Sequence, residues 1–277
     1  MTLFTIDPEK CNRDGICVTS CPFALIEMKS EDAIPTPIAI AEERCMNCGH
    51  CMAVCPKGAL TLKTMGPSDC RSVIRDKKIN FEEMEQLFLA RRSIRVFKDK
   101  PVSKETLREL FRLVGYAPSG HNARVVQWLV IEDAKEIKKL SGLVIEWLRR
   151  LLKENPLLAI SMEADILVGA WDRGGDYILH SAPHVIIAHG PQHFKDVYPV
   201  RSEFAIAMSY LELAAASMGI GTCWAGFFQA AVQFYPPMNE AIGLPDGQLS
   251  YECMMLGYPK YNYQRIPLRN EPNILWK

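Results

Sequence analysis

Residues 45–56 read CMNCGHCMAVCP, which places four cysteines at the spacing C-x2-C-x2-C-x3-C with a proline directly after the last one. A matching pattern occurs 34 residues earlier in the chain. The two copies align Cys11, Asp14, Cys17, Cys21 and Pro22 with Cys45, Cys48, Cys51, Cys55 and Pro56. Seven of the ten cysteines therefore lie before residue 56, and one position of the first copy holds an aspartate. Such clustering favours metal ligation in a reducing compartment over a disulfide framework.

The composition limits the classes of protein to which the chain can belong. Its 277 residues suffice for one or two domains, and Lys plus Arg equals Asp plus Glu at 32 each. This balance favours neither nucleic acid nor a membrane as a partner. The N-terminal sequence MTLFTIDPEKC lacks a basic stretch followed by an apolar one, so we expect no signal peptide and a cytoplasmic location. The apolar segment Phe204–Phe234, whose one charge is Glu212, is interrupted by polar residues, which favours a buried helix and strand over a membrane span.

The repeated cysteine run resembles the two-cluster bacterial ferredoxins over about residues 3–64. The resemblance implies two 4Fe-4S clusters and two antiparallel strand pairs, with Leu3–Ile6 and Leu60–Leu62 among the strands. In that family three cysteines of a run hold one cluster and the fourth reaches the other. This implies one cluster on Cys21, Cys45, Cys48 and Cys51, and another on Cys11, Asp14, Cys17 and Cys55. A zinc site is the alternative, since tetrahedral zinc also binds CxxC pairs.

Asp14 is the departure from the ferredoxin pattern. A carboxylate oxygen is a harder ligand than a thiolate and binds iron less covalently. We therefore expect this cluster to be either an aspartate-ligated 4Fe-4S cluster or one that loses an iron to become 3Fe-4S. We expect His50, between Cys48 and Cys51, to be a solvated loop residue rather than a ligand.

We predict three segments: a two-cluster ferredoxin-like domain at 1–65, a linker at 66–80 and an α+β domain at 81–277. In the last segment the capping residues Asn80, Ser103 and Asp133 predict helices that end near residues 90, 115 and 153. A fourth helix is predicted over 202–218. Apolar runs predict strands over 125–131, 184–188, 222–225 and 252–256.

A basic segment joins the first two predicted helices of this domain. It contains Arg91, Arg92, Ser93 and Arg95, and guanidinium groups beside a hydroxyl suit a phosphate and a developing anion. Taken alone, a solvated basic face is the simpler explanation.

Three later segments change this interpretation. Residues 117–122 read APSGHN, residues 219–227 read GIGTCWAGF, and residues 256–267 begin with LGYPK and end with RIP. Together with the basic segment, and in this order, they resemble the nitroreductase superfamily of FMN enzymes over about residues 82–270. The whole chain is similar to ferredoxin–nitroreductase fusions from anaerobes.

This resemblance implies a domain-intertwined homodimer with two FMN sites at its interface. It assigns the FMN phosphate and ribityl chain to Arg91, Arg92 and Ser93. It also implies that Arg265 and Lys260 close on the phosphate.

The same resemblance assigns residues to the flavin ring. Arg95 would lie beside the N1/O2 edge, where a cation stabilises the anionic reduced flavin. The backbone N–H of Gly226 would meet N5, with Trp224 and Ala225 directly before it. The facing subunit would lay a loop against the ring that contains Pro118, Ser119, Gly120 and Asn122.

Two positions depart from this family. Its loop often continues with Gln-Pro-Trp, whereas this chain has Arg124-Val125-Val126, so Arg124 is either a second cation near the flavin or a surface residue. Many relatives carry Glu where this chain has Ala225. The histidines His121, His180 and His184 are either proton donors or structural residues.

We predict an oxidoreductase that passes electrons from ferredoxin-type clusters to FMN and on to a small electrophilic acceptor, such as a nitroaromatic, quinone or activated alkene. The electron donor would be a protein or NAD(P)H, although no strand–GxGxxG–helix fingerprint is present. One alternative is an electron-transfer or flavin-reductase module serving a protein partner. Another is a redox sensor with negligible turnover.

Overall fold

The computed structural model describes residues 3–196 and 198–277, which form two compact units. The first unit extends to Lys78 and also includes His121–Ala123. The second consists of Ile79–Gly120 and Arg124–Lys277. Most of the stretch that was predicted as a linker, 66–80, therefore belongs to the first unit.

The first unit contains four short strands. They are β1 (Phe4–Ile6), β2 (Ile26–Glu27), β3 (Thr36–Pro37) and β4 (Leu60–Leu62). Strand β1 pairs with β4 and β2 pairs with β3, both antiparallel, which confirms the prediction of two strand pairs.

The described residues of the first unit form three short helices, of which the first and the third are related by the sequence repeat. They are α1 (Ile16–Thr19), α2 (Ala41–Arg44) and α3 (His50–Ala53). Gly15 before α1 and Gly49 before α3 have φ of 69° and 76°. Glycine adopts this left-handed conformation without the steric cost of a Cβ, so the same turn forms twice. A small core lies between the repeats and consists of Phe4, Cys17, Ile26, Met52, Leu60 and Leu62.

The stretch after β4 makes two 3-10 turns, Pro67–Asp69 and Arg75–Lys77. The Asp69 carboxylate accepts a hydrogen bond from the Gly66 N–H at 2.8 Å. Every side chain from 68 to 80 is exposed, so this stretch adds nothing to a core.

The second unit contains eight α-helices among its described residues. They are α4 (Phe81–Ala90), α5 (Lys104–Val114), α6 (Ala134–Glu154), α7 (Pro156–Ser161), α8 (Ala164–Asp172), α9 (Tyr198–Ser217), α10 (Gly226–Phe234) and α11 (Pro236–Ile242). The three predicted caps are confirmed, because the Asn80, Ser103 and Asp133 side chains accept from backbone N–H groups in the first turns of α4, α5 and α6. Each cap satisfies a donor that the helix itself leaves unpaired.

Four of these helices were not predicted. Helices α7, α8, α10 and α11 are six to nine residues long. Helices this short are marginal by themselves and depend on tertiary packing. That packing comes from Ala159, Ala164, Phe228 and Met238, which are buried in one common core.

The second unit has one four-stranded sheet. Its strands are β5 (Gln127–Ile131), β6 (His184–Pro191), β7 (Gly221–Trp224) and β8 (Gln248–Gly257). The order is β5-β6-β8-β7 and every pair is antiparallel. The two central strands are longer than predicted, and a register irregularity between Ala188 and His189 interrupts their ladder.

Both faces of the sheet are covered. Val185 and Ile187 of β6 pack into a core with α6, α10 and α11, whereas Ile186 and Ala188 pack into a second core with α5 and α9. Alternate side chains of a strand point to opposite faces, so a central strand covered on both sides reads as a continuous apolar run. The predicted α+β class is confirmed.

None of the helices in the described ranges is long and apolar enough to cross a membrane. The segment Phe204–Phe234 instead contributes to α9, then β7, then α10. The predicted buried helix and strand are therefore confirmed, and the following helix is an addition.

Candidate metal centres and active site

The eight predicted cluster ligands line two separate cavities in the first unit. We name as cavity I the one lined by Cys11, Asp14, Cys17 and Cys55. We name as cavity II the one lined by Cys21, Cys45, Cys48 and Cys51. The structure thus brings together the same two sets of four side chains, including the exchange of the last cysteine of each run.

The donor set of these cavities fits iron–sulfur clusters. Backbone N–H groups point at three sulfurs: Leu25 at Cys21 Sγ (3.4 Å), Asn47 at Cys45 Sγ (3.4 Å) and Ala59 at Cys55 Sγ (3.3 Å). Such hydrogen bonds stabilise the negative charge of ligating thiolates. No group of three or more His, Cys, Asp or Glu side chains in the described ranges is placed to hold a single metal ion.

Two of the cavity thiols have a raised pKa. Burial, followed by neighbouring cysteines, raises the pKa of Cys51 to about 11. Burial likewise raises the pKa of Cys17. Bound iron would supply the positive charge that holds such groups as thiolates.

Asp14 lies in cavity I at the position that Cys48 occupies in cavity II. Its Oδ1 accepts a hydrogen bond from the Ile16 N–H at 3.2 Å, which orients the carboxylate at the start of α1. A carboxylate oxygen is a harder ligand than a thiolate sulfur, so the two cavities are chemically unequal.

Residues 121–123 are held in the first unit. The Asn122 carboxamide donates to the carbonyl oxygens of Met46 (3.2 Å) and Asn47 (3.1 Å). The His121 ring stacks on Phe23 with 5.5 Å between centroids. Sequence reasoning assigned Asn122 to the flavin loop, and its contact with the cysteine loop was not anticipated.

In the second unit, backbone hydrogen bonds bring three of the four predicted FMN segments together. The Ile94 N–H donates to Thr222 O at 2.8 Å, which joins the basic segment to β7. The Lys98 N–H donates to Tyr258 O at 2.8 Å, and the Lys260 N–H donates to Val96 O at 3.0 Å. The basic segment is thus held between β7 and the chain that follows β8.

A cavity between these segments, which we name the arginine cavity, carries two of the predicted phosphate-binding residues. Its lining includes Arg91, Arg92, Gly221, Thr222, Pro259 and Tyr263. Lys260 and Arg265 are both exposed, and neither belongs to the lining that the described residues provide.

Gly221 has a steric role beside this cavity. A Cβ added there would lie 2.5 Å from Ile94 Cγ1 and 2.9 Å from Pro259 Cγ. Only glycine allows the basic segment and the chain after β8 to approach β7 this closely.

Glu212 is a candidate site residue that sequence reasoning did not assign. Its Oε1 lies 3.0 Å from Arg91 Nη1, and its Oε2 accepts from Trp224 Nε1 at 3.4 Å. The Glu212 side chain is 13% exposed, so this ion pair is largely shielded from water. The sequence signal that could have identified Glu212 is that it is the single charged residue of the apolar segment Phe204–Phe234.

Arg95 and Ser93 lie near the buried Cys223. Burial raises the pKa of the Cys223 thiol, and Arg95 and Ser93 partly offset that rise. Arg95 also lies near His180, whose pKa burial lowers. The cation predicted for the flavin edge is therefore an exposed side chain that lies close to two buried groups, one of them on β7.

His184, the first residue of β6, is structural. His184 is fully buried, and its Nε2 accepts a hydrogen bond from the Val102 N–H at 2.8 Å. Burial lowers the pKa of His184, so the ring remains neutral and holds the start of α5. Of the two alternatives for this histidine, the structural one is favoured.

The loop Pro118–Gly120 lies elsewhere in the second unit. The Gly120 N–H donates to Glu203 Oε1 at 2.7 Å, and the Arg124 N–H donates to Ser119 Oγ at 3.1 Å. Pro118, Ser119 and Arg124 line a cavity beside α9 that shares no residue with the arginine cavity. Within one chain the structure does not unite this loop with the basic segment.

The predicted N5 region lies where β7 ends and α10 begins. Trp224 closes the strand, Ala225 precedes the helix, and Gly226 is its first residue. A Cβ at Gly226 would meet no atom within 4 Å, so its backbone is open to an approaching group.

The sequence model described as "Nitroreductase family" matches residues 89–258, more than half of the chain. The chain belongs to the nitroreductase family. A second model, described as "4Fe-4S dicluster domain", matches residues 4–59. The predicted fusion of a ferredoxin-like part with a nitroreductase part is confirmed, and the protein is a nitroreductase-type oxidoreductase.

Relatives and solved structures match the nitroreductase part. A protein of Archaeoglobus fulgidus, provisionally named NADH dehydrogenase/NAD(P)H nitroreductase, is 24% identical over 180 residues, which is 65% of this chain and 87% of that protein. A crystal structure of a nitroreductase with bound FMN from Bacteroides fragilis aligns with a TM-score of 0.55 and 19% identity over 70% of this chain and 99% of the other. A crystal structure of an FMN-bound nitroreductase from Desulfitobacterium hafniense aligns with a TM-score of 0.54 and 19% identity over 70% of this chain and 96% of the other. At this identity the structures show a shared fold.

Proposed function

We propose that this protein is an iron–sulfur flavoenzyme that passes single electrons from two N-terminal clusters to FMN and then reduces a small electrophilic acceptor. The observation that carries the proposal is that two predicted ligand sets line two cavities in a chain that also contains a nitroreductase domain. The acceptor class is a nitroaromatic, a quinone or an activated alkene.

Cavity II would hold a 4Fe-4S cluster through four thiolates, and cavity I would hold one through three thiolates and the Asp14 carboxylate. Bound clusters supply one-electron transfer. The chain's own contribution is the set of N–H donors to Cys21, Cys45 and Cys55, which offset negative charge at the sulfurs.

FMN would bind with its phosphate near the arginine cavity. Arg91 and Arg92 provide the cationic groups, and Glu212 fixes the orientation of the Arg91 guanidinium. The hydroxyl of Ser93 completes the phosphate and ribityl contacts. Lys260 and Arg265 would complete this end of the site.

Bound flavin supplies hydride chemistry at N5 and can also be charged one electron at a time. Arg95 would favour the anionic reduced form through its positive charge. The backbone N–H of Gly226, which is open to an approaching group, would orient N5. Trp224 and Ala225, directly before Gly226 in the chain, would lie beside it.

A homodimer would complete the site, with Pro118, Ser119, Gly120 and Asn122 of the facing subunit beside the flavin. Two features support dimerisation: α4 buries no residue, and every side chain from 261 to 277 is exposed. Exposed apolar residues of this kind normally mark an interaction surface. A cytoplasmic location is supported by the seven cysteines proposed as cluster ligands, because a reducing compartment keeps such thiols available for a metal.

The proposal is tested by purifying the protein without oxygen and titrating it with NADH, NADPH and a reduced low-potential ferredoxin while visible spectra are recorded. Bleaching of the flavin by the ferredoxin alone is the expected result, since the clusters then form the electron input. Prompt bleaching by a nicotinamide would show that hydride enters at FMN directly, as the names of relatives suggest. Fast reduction of a protein partner with slow reduction of small molecules would instead favour the electron-transfer alternative.

A further inference from the structure

The Asn122 contact with the cysteine loop involves a peptide group that also donates to a predicted cluster ligand. The Met46 carbonyl and the Asn47 N–H belong to the same peptide group. Asn122 Nδ2 donates to that carbonyl at 3.2 Å, and the Asn47 N–H donates to Cys45 Sγ at 3.4 Å. The carboxamide and the ligand sulfur are therefore connected through one polarisable unit.

The second contact of Asn122 extends this connection. The Asn47 carbonyl, which accepts from Asn122 Nδ2 at 3.1 Å, belongs to the peptide group that leads into Cys48. Two peptide groups between Cys45 and Cys48 are thus held by the Asn122 side chain.

The loop held in this way has an unfavourable backbone. Asn47 has φ of 52°, a left-handed conformation that non-glycine residues seldom adopt. Its side chain is also tied, since Thr64 Oγ1 donates to Asn47 Oδ1 at 2.6 Å. Arg13, the equivalent residue of the first copy, has φ of 58°, so this turn belongs to the repeat, and in the second copy Asn122 adds two hydrogen bonds to it.

Two physical effects act in the same direction on a cluster in cavity II. A hydrogen bond to a carbonyl oxygen polarises the peptide and strengthens its N–H as a donor. The Asn122 donors also offset the negative ends of two carbonyl dipoles close to the ligands. Both effects stabilise the more negative reduced cluster and so raise its reduction potential.

We propose that Asn122 is a positioning residue for the cluster in cavity II and raises the reduction potential of that cluster above the value that the ferredoxin-like sequence alone would give. The proposal rests on the ligand assignment of the proposed function. It gives a role in the iron–sulfur unit to a residue 75 positions beyond the cysteine loop.

The test is an EPR-monitored redox titration of the full chain, comparing the parent with Asn122→Ala. A Cys48→Ser variant identifies the signal of cavity II, because it alters one of its ligands. We expect the Asn122→Ala potential to move to a more negative value for the cavity II cluster and to stay the same for the cavity I cluster. Asn12→Ala, an exposed asparagine beside Cys11, is the matched control and should leave the cavity II potential unchanged.

Asn122→Asp and Asn122→Gln separate position from polarity. The aspartate removes the donors and adds a negative charge, so its potential should be the lowest, whereas glutamine keeps donors and should lie above aspartate. If Asn122→Ala loses iron, comparing the potentials of Asn122→Asp and Asn122→Gln still tests the proposal. Equal potentials in the two variants, an equal shift of both clusters, or a change confined to flavin spectra would each overturn the proposal.

Iron analysis of the parent separates this proposal from the one on which it rests. A parent with two EPR-active clusters and no shift in the variants refutes the role of Asn122 and leaves the proposed function intact. A parent without two clusters overturns the ligand assignment, and this proposal with it.

Discussion

At the scale of single residues, one carboxylate separates two otherwise matching ligand sets. Asp14 and Cys48 occupy the same place in the repeat and in their cavities. An iron held by carboxylate oxygen is bound less covalently than one held by thiolate. Clusters bound in the two cavities, as proposed, should therefore differ in stability even though the two loops share a fold.

Replacing Asp14 with cysteine should make the cluster in cavity I resistant to iron loss. We expect mild oxidation of the parent to produce a three-iron EPR signal that Asp14→Cys does not produce. Asp32→Asn, at an exposed aspartate outside both cavities, should behave like the parent. Identical spectra for the parent and Asp14→Cys, without a three-iron signal in either, would show that Asp14 has no such effect.

The Arg91–Glu212 pair gives a second prediction at this scale. Glu212→Ala leaves a guanidinium that is only 27% exposed without its carboxylate, so we expect a loss of about 1–3 kcal/mol in the free energy of unfolding. Glu109→Ala removes an exposed ion pair with Arg112 and should cost less than about 1 kcal/mol. Chemical denaturation of both variants measures the difference. Equal losses would mean that Glu212 contributes no more than a surface charge.

At the scale of elements, the site depends on how closely three segments approach one another. The basic segment packs against β7, and the chain after β8 packs on its other side. Local sequence predicted β7 and the caps of α4, α5 and α6, because those signals lie within a few residues of one another. It did not predict α7, α8, α10 or α11, because these short helices are stabilised by a core assembled from distant residues.

Gly221→Ala tests this close approach. The added methyl group would overlap Ile94 and Pro259, so we expect a destabilisation of about 1–3 kcal/mol, as for overpacking in a core. We also expect weaker FMN binding, measured by quenching of flavin fluorescence, because the arginines move with Ile94. Gly226→Ala, where a Cβ meets nothing within 4 Å, is the control and should retain the stability of the parent. A Gly221→Ala protein with parental stability and FMN affinity would contradict the steric role.

At the scale of the whole molecule, the C-terminal stretch exposes large apolar side chains. Leu268, Leu275 and Trp276 are 96%, 80% and 84% exposed. Large apolar side chains in such number are costly in water unless a partner covers them. A second copy of the chain, as the proposed function requires, would provide that cover.

Deletion of residues 268–277 should weaken the proposed dimer. All of these side chains are exposed, so the truncated chain should keep its fold. Sedimentation velocity over a range of protein concentrations should show a dimer for the parent and a shift toward monomer for the truncated protein, with circular dichroism as the check on folding. Parental association after truncation would mean that the dimer interface lies elsewhere.

The sequence by itself determined the longer helices and strands, because capping residues and periodicity within one element can be read locally. Through its resemblance to known families it also predicted the fusion of two parts and the two sets of side chains that line cavities I and II. The tertiary structure alone decided that Glu212 pairs with Arg91, that His184 is a neutral core residue, and that Asn122 holds the loop between Cys45 and Cys48. These contacts join residues that are 121, 82 and 75 positions apart. Such pairs form only when packing of the whole chain brings them together.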